Sequence, residues 1–177
     1  MNLLDTVKAL ADLAGPLSQL FGAISFILGI GFAIGSLVLA SKRLNLGPGA
    51  GSWAQPFWMF VIGALFVGLP MTMSTLSVTM MGQDYETDPA RIFEHAPTLI
   101  GAFDSGEART IIMAIVTVVR LVGLLGVMRG LYLLQQSTKG QGPQTFGPGV
   151  TFIIAGTFAW NFQLFVGLME KLVLNVS

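Results

Sequence analysis

The chain has 177 residues, of which 53% are hydrophobic and only 10% are charged, against about 25% charged residues in an ordinary soluble domain. This composition excludes a typical soluble domain and predicts an all-α membrane protein. Nine basic residues balance nine acidic ones, so the net charge does not indicate nucleic acid or an acidic substrate as a partner. The absence of cysteine excludes disulfides, thiolate metal sites and cysteine nucleophiles.

Residues 1–19 predict an amphipathic helix that lies at the membrane interface. Apolar residues recur there at helical spacing, with Asp5, Lys8 and Asp12 on the other side, and Gly15-Pro16 should end the helix. No basic run precedes an apolar core, so a cleaved secretory signal is not predicted.

Four stretches are long and apolar enough to cross a membrane, because about 20 helical residues span about 30 Å of hydrocarbon. Their positions are Leu20–Ala40, Phe57–Met81, 108–134 and Val150–Met169. Pro70 should kink the second stretch. We expect two helical hairpins, at 20–81 and 109–177, joined by an acidic loop at 82–108 that carries a short helix starting at Asp88-Pro89.

Basic residues near the ends of the spans indicate the orientation. Lys42 and Arg43 follow the first span, while Arg129 and Lys139 lie at the end of the third. Basic turns prefer the cytoplasm, so both hairpin turns should face it and both termini should be periplasmic. These four cations are the predicted lipid-binding residues, because each basic side chain near an anionic membrane surface contributes about 1 kcal/mol.

Two glycine pairs with the same spacing are candidates for close helix packing. Gly31 and Gly35 lie in the first span, and Gly126 and Gly130 lie in the third. Small residues let helix backbones approach each other in lipid, although a chain with 22 glycines also produces such spacings by accident. The two hairpins also form a weak internal repeat, for which duplication and chance are both open.

Arg120 and Arg129 stand out because they lie inside an apolar span. Nine residues at about 100° each put them on opposite faces, about 13 Å apart along the helix, so they do not serve one site. Arg129 can extend its guanidinium to the headgroups. Arg120 lies near mid-membrane, where insertion of a charge costs about 2.5 to 3.5 kcal/mol, so it needs a partner or water.

Two explanations of Arg120 stay open. Asn161 and Gln163 lie at a similar depth in the last span, so either amide could bond the guanidinium, with a cation–π contact from Trp160. Alternatively, Arg120 meets lipid phosphate or water at a subunit boundary, in an assembly with a polar lumen.

No constellation of catalytic or metal-binding residues is apparent. His95 beside Glu94 is typical of solvated surface, and Asp84, Glu86 and Asp88 lack the glycine and glutamate spacing of a calcium loop. LGPGAGS lacks the lysine that follows a phosphate-binding loop. We therefore predict that the protein is not an enzyme, since no acid or histidine lies within a predicted span, and that it has no cofactor, although a bound phospholipid is compatible with the sequence.

Two stretches resemble a known family. PLSQLFGAISFILGIGFAIGSLVLASK, followed by Pro56, FVIGALFVGLP and MTMSTLSVTMMG, is similar to the hairpin of small inner-membrane proteins of type IVB secretion and I-type conjugation systems, the IcmC/DotE, IcmD/DotP and TraQ group. RLVGLLGVMRGLYLLQQSTKGQG and the apolar segment with Asn161 resemble the second half of its IcmC and TraQ members.

The resemblance implies a structural inner-membrane subunit of a bacterial secretion or conjugative DNA-transfer apparatus, with no catalytic residue. Its expected partners are membrane lipid, other subunits of the apparatus and further copies of itself, without direct sequence-specific binding of nucleic acid. Two alternatives are open: a pilin-like subunit that polymerises with lipid into an extracellular pilus, and a small transporter or channel with a midplane site at Arg120, Asn161 and Gln163.

Overall fold

The structure is a computed structural model, and it describes residues 3–46, 52–82, 106–139 and 143–174. Within these ranges the chain is helical, with no strand, which confirms the all-α prediction. The helices are α1 (Leu3–Leu46), α2 (Ala54–Val67), α3 (Leu69–Met81), α4 (Gly106–Thr138), α5 (Pro143–Trp160) and α6 (Phe162–Leu174). Most of the predicted acidic loop, including its short helix and His95, lies outside the described residues.

Two of the described helices are long and apolar enough to cross a membrane by themselves. These are α1, over Asp12–Leu46, and α4, over Gly106–Thr138. The predicted second span is divided into α2 and α3, which are long and apolar enough to cross a membrane only when they are taken together. The predicted fourth span is divided at Asn161 between α5 and α6, and neither qualifies alone. A membrane location therefore fits the helices, while four spans in two hairpins stay a prediction.

Helix α1 does not end where the sequence predicts. It continues through Pro16 to Leu46, so residues 3–19 are part of the first long helix rather than a separate one. Proline removes only one amide donor, the one that would bond the carbonyl four residues earlier at Asp12. Asp12 is exposed, so water or headgroups can satisfy that carbonyl and the helix tolerates the proline.

The break between α2 and α3 bends the chain by 95°, which confirms the kink predicted at Pro70. Pro70 has no amide hydrogen, so the carbonyl of Phe66 lacks its usual intrahelical donor. The buried hydroxyl of Ser25 in α1 donates to that carbonyl at 2.6 Å, and the hydroxyl of Thr72 donates to the carbonyl of Leu65 at 3.1 Å. Side-chain hydroxyls thus satisfy the carbonyls at the break, which makes a sharp bend tolerable in an apolar environment.

The chain divides into two compact units. Unit 1 comprises Met1–Gln19, Ser74–Leu125 and Gly156–Ser177, and unit 2 comprises Leu20–Met73 and Gly126–Ala155. In unit 2 the buried apolar side chains include Phe66, Leu69, Met73, Val127 and Leu131. In unit 1, Val116 packs against Ile112, Met113 and Phe162.

Candidate functional site

Close backbone contacts at glycine hold helices together within unit 2. A Cβ added to Gly29 would lie 2.6 Å from the backbone nitrogen of Val67 and 2.7 Å from the carbonyl oxygen of Gly63. One added to Gly130 would lie 2.7 Å from the carbonyl oxygen of Gly149. Real Cβ atoms do not approach backbone so closely, so these contacts between α1 and α2 and between α4 and α5 require glycine.

Unit 1 contains a glycine contact of the same kind. A Cβ added to Gly123 would lie 2.5 Å from the backbone nitrogen of Trp160 and 2.6 Å from the carbonyl oxygen of Gly156. The sequence contained a signal for these contacts, because Gly123 and Gly130 are seven residues apart, as are Gly149 and Gly156. Residues seven apart share one helix face, whereas the packing predicted from the sequence relied only on glycines four apart.

The remaining predicted packing glycines are Gly31, Gly35 and Gly126, and the first two make no such backbone contact. Gly31 is exposed and a Cβ there would meet nothing within 4 Å, so α1 contacts α2 through Gly29 rather than Gly31. A Cβ added to Gly35 would lie 2.7 Å from the terminal methyl group of Met59, and this flexible side chain can move. Gly126 is half-buried in α4.

A group of buried polar side chains lies in unit 1 around the junction of α5 and α6. Asn161 is fully buried and its Nδ2 donates to Ser77 Oγ at 2.7 Å and to the carbonyl of Thr157 at 2.9 Å. Its Oδ1 is buried without a hydrogen-bond partner in the described part of the chain. Asn161 therefore connects α3 to the α5–α6 junction and is not the hydrogen-bond partner of Arg120. Gln163 is also buried.

Arg120 lies beside Trp160 in unit 1. Its guanidinium carbon is 4.8 Å from the centroid of the indole ring, so the cation–π contact expected from the sequence is present. The side chain is only 8% exposed and lines a cavity of about 370 Å³. The rest of that lining is formed by Ala14, Gly15, Ser18, Thr117, Leu121 and Trp160.

Glu170 is a buried acid that the sequence-based predictions missed. It lies in α6 and is 4% exposed, whereas the predicted fourth span ended one residue earlier, at Met169. The sequence could have indicated this burial, because Glu170 lies seven residues after Gln163, residues seven apart share a helix face, and Gln163 is also buried. The prediction that the protein is not an enzyme relied on the predicted spans having no acid or histidine; Glu170 lies one residue beyond the fourth of these spans, and the absence of enzymatic activity stays a prediction.

All four predicted lipid-binding cations lie in unit 2, and the structure brings two of them together. Arg43 and Lys139 line one cavity of about 370 Å³, although they come from different basic turns. Lys42 is exposed and is not part of its lining, and the guanidinium carbon of Arg129 lies 5.2 Å from the ring centroid of Phe152. The structure thus brings together the two cations that lie far apart in the sequence.

Comparison of the chain with protein-family models, with curated proteins and with solved structures finds no match.

Proposed function

We propose that the protein is a structural subunit of a bacterial type IVB secretion or conjugative DNA-transfer apparatus in the inner membrane. It acts by packing its helices against neighbouring subunits. The resemblance of its two apolar halves to the IcmC/DotE, IcmD/DotP and TraQ group supports the apparatus. The exposed apolar face of α1 supports packing against neighbouring subunits.

The observation that carries the proposal is the outer surface of α1. Only 17% of the most apolar 18-residue stretch of α1 is buried inside the protein, against 39% of the corresponding stretch of α4. Leu20, Ile27 and Ile34, at seven-residue intervals, are 53%, 68% and 56% exposed, and Gly31 lies exposed between the last two. A small residue amid large apolar ones is the pattern through which membrane helices approach each other, so this face suits a neighbouring subunit.

The orientation is part of the proposal. We count the bent pair α2 and α3 as one span and the pair α5 and α6 as another, which makes two hairpins with cytoplasmic basic turns. The shared cavity supports this topology, because Arg43 in the last turn of α1 and Lys139 just after α4 line one space in unit 2. Both termini then lie in the periplasm.

The test is the particle that the chain forms in its native membrane. A tagged chain, extracted in mild detergent, should run far above its monomer mass of 18.8 kDa and should carry subunits of a secretion or conjugation apparatus, identified by mass spectrometry. A monomer without such subunits would contradict the proposal. Recovery of the chain in filaments sheared from the cell surface would replace it with the pilin-like role.

Gly31→Leu tests the α1 face directly. Gly31 is exposed and a Cβ there meets nothing within 4 Å, so the monomer should fold normally while the assembly is lost. Ile30→Leu, at an exposed position of the same helix, is the matched control and should assemble. An intact assembly in Gly31→Leu would show that lipid, not protein, covers this part of α1.

A transporter or channel is the second candidate, and the cavity beside Arg120 favours it. Arg120 and Trp160 line this space, and Asn161 and Gln163 are buried in the same unit. Arg120→Leu in liposomes separates the candidates. A transporter should lose flux while the particle stays assembled, whereas a structural subunit shows no flux before or after the change.

A further inference from the structure

The cavity that Arg43 and Lys139 share carries positive charge. It is lined by Arg43, Ser52, Ala54, Gln55, Trp58, Thr138 and Lys139, so two cations and three neutral hydrogen-bonding side chains face one space, with no acid among these described residues. The N-terminus of α2 also lies at this cavity, and no acidic residue occupies its first turn. The positive end of the helix dipole therefore adds to the charge of the two side chains.

Arg43 is held in place within this cavity. Its Nη2 donates to Gln55 Oε1 at 2.6 Å, so the guanidinium has a defined position before any ligand binds. Its Nη1 is buried and has no hydrogen-bond partner within the described ranges of the chain. A partly enclosed cation with no acid among the described residues around it is costly, and a bound anion would offset that cost.

An apolar groove adjoins this polar cavity in the same unit. It has a volume of about 390 Å³, and its walls include Val61, Ile62, Leu65, Leu134 and Phe146. Trp58 and Thr138 line both spaces, so the two cavities share a wall. Tryptophan is typical of the boundary between headgroups and acyl chains, which fits the position of Trp58 between a charged space and an apolar one.

We propose that the two cavities together bind one anionic phospholipid. The phosphate lies between Arg43 and Lys139, and an acyl chain lies along the groove past Trp58. A free phosphate ion would use only the polar cavity. A zwitterionic lipid would bring its own ammonium group beside two cations and no acid, so a headgroup with net negative charge, such as glycerol phosphate, fits better.

Binding of lipid to the purified chain tests this site, independently of whether the chain joins an apparatus. Native mass spectrometry in mild detergent should show one phosphatidylglycerol bound per chain, at least about fivefold more tightly than phosphatidylcholine with the same acyl chains. Equal binding of the two lipids would overturn the proposal.

Charge variants locate the phosphate. Arg43→Gln and Lys139→Gln should each weaken phosphatidylglycerol binding about fivefold or more, while phosphatidylcholine binding stays unchanged. Lys42→Gln and Arg129→Gln remove the same charge from outside the cavity, where only general attraction to the anionic surface acts, and should weaken binding clearly less. Equal losses in all four variants would mean attraction to the surface as a whole, which contradicts a defined site. Lys139 is exposed, so its variant keeps the test valid if Arg43→Gln fails to fold.

The acyl chain is tested separately. Phe146 is 57% exposed, so Phe146→Ala should fold while it opens one wall of the groove. We expect weaker phosphatidylglycerol binding in this variant. Inorganic phosphate, titrated against thermal stability, should have little effect on any variant. A stabilisation by phosphate that equals that by lipid, and that persists in Phe146→Ala, would show a free-phosphate site and contradict the proposal.

Discussion

At the scale of single residues, the fold satisfies its buried amide side chains unequally. Asn161 donates two hydrogen bonds, which connect it to α3 and to the preceding turn. Gln135 is also fully buried, but neither its Nε2 nor its Oε1 has a hydrogen-bond partner among the residues that the structure describes. A buried amide without partners destabilises a fold, so Gln135 is a weak point of unit 2.

Gln135→Leu should therefore stabilise the protein. Leucine has a similar volume and no polar atoms, so the free energy of unfolding should rise by about 1 to 3 kcal/mol. Thermal melting in detergent measures the change, and Gln136→Leu, one position along the same helix and half-buried, should shift the melting temperature less. A lower melting temperature for Gln135→Leu would show that the amide does have a stabilising partner.

At the scale of elements, the bend between α2 and α3 depends on a hydroxyl from another helix. Pro70 removes a donor from the carbonyl of Phe66, and Ser25 in α1 replaces it. Ser36, which is also buried in α1, donates only to the carbonyl of Ala33 in its own helix. Removing the Ser25 hydroxyl therefore leaves the carbonyl of Phe66 without a donor, whereas removing the Ser36 hydroxyl affects only a carbonyl within α1.

Ser25→Ala should destabilise the chain by about 1 to 3 kcal/mol, because it leaves a buried carbonyl without a donor. Ser36→Ala should cost clearly less, since helical carbonyls usually keep a backbone donor when a side chain is removed. Unfolding of both variants in the same detergent compares them. Equal effects of the two changes would mean that the bend does not depend on Ser25.

Glycine contacts are the second feature at this scale. Gly123→Ala places a methyl group against the backbone of Trp160 and Gly156, which should lower the free energy of unfolding by about 1 to 3 kcal/mol. Gly31→Ala meets no neighbour, and alanine favours helix over glycine by about 1 kcal/mol, so this control should be neutral or slightly more stable. Melting temperatures that fall in both variants would argue against specific packing at Gly123.

At the scale of the whole molecule, the expected orientation in the membrane rests on charges at the ends of the apolar helices and in the connections between them. Arg43 and Lys139 lie at one cavity, whereas the acidic residues of 82–108 fall in a different connection. Basic turns stay in the cytoplasm because their translocation is disfavoured. We therefore expect the turns after α1 and α4 on the inside and the acidic connection on the outside.

Labelling of single cysteines checks this orientation, and the chain has no native cysteine to interfere. Asn45→Cys and Gln141→Cys should react with an impermeant reagent only after the inner membrane is opened. Glu86→Cys should react in cells whose inner membrane is intact. The reverse pattern would overturn the topology and, with it, the periplasmic termini.

Several features could be predicted from local sequence because their causes are local. The helical composition, the long apolar helices α1 and α4 and the kink at Pro70 depend on hydropathy and on a missing amide hydrogen, both of which a single segment carries. The end predicted at Pro16 was wrong for a local reason too: Asp12, whose carbonyl loses its donor to the proline, is an exposed residue, so that carbonyl does not need a donor from the chain.

Only the tertiary structure decided which residues meet. Five of the six described helices, all but α3, contain glycine, and the choice of Gly29 over Gly31 depends on which face of α1 turns towards α2. The shared cavity likewise brings together Arg43 and Lys139, which are far apart along the chain. In a membrane-like sequence most helix faces are apolar, so hydropathy alone does not distinguish a face that contacts protein from one that contacts lipid; close packing and the pairing of buried polar groups make that choice.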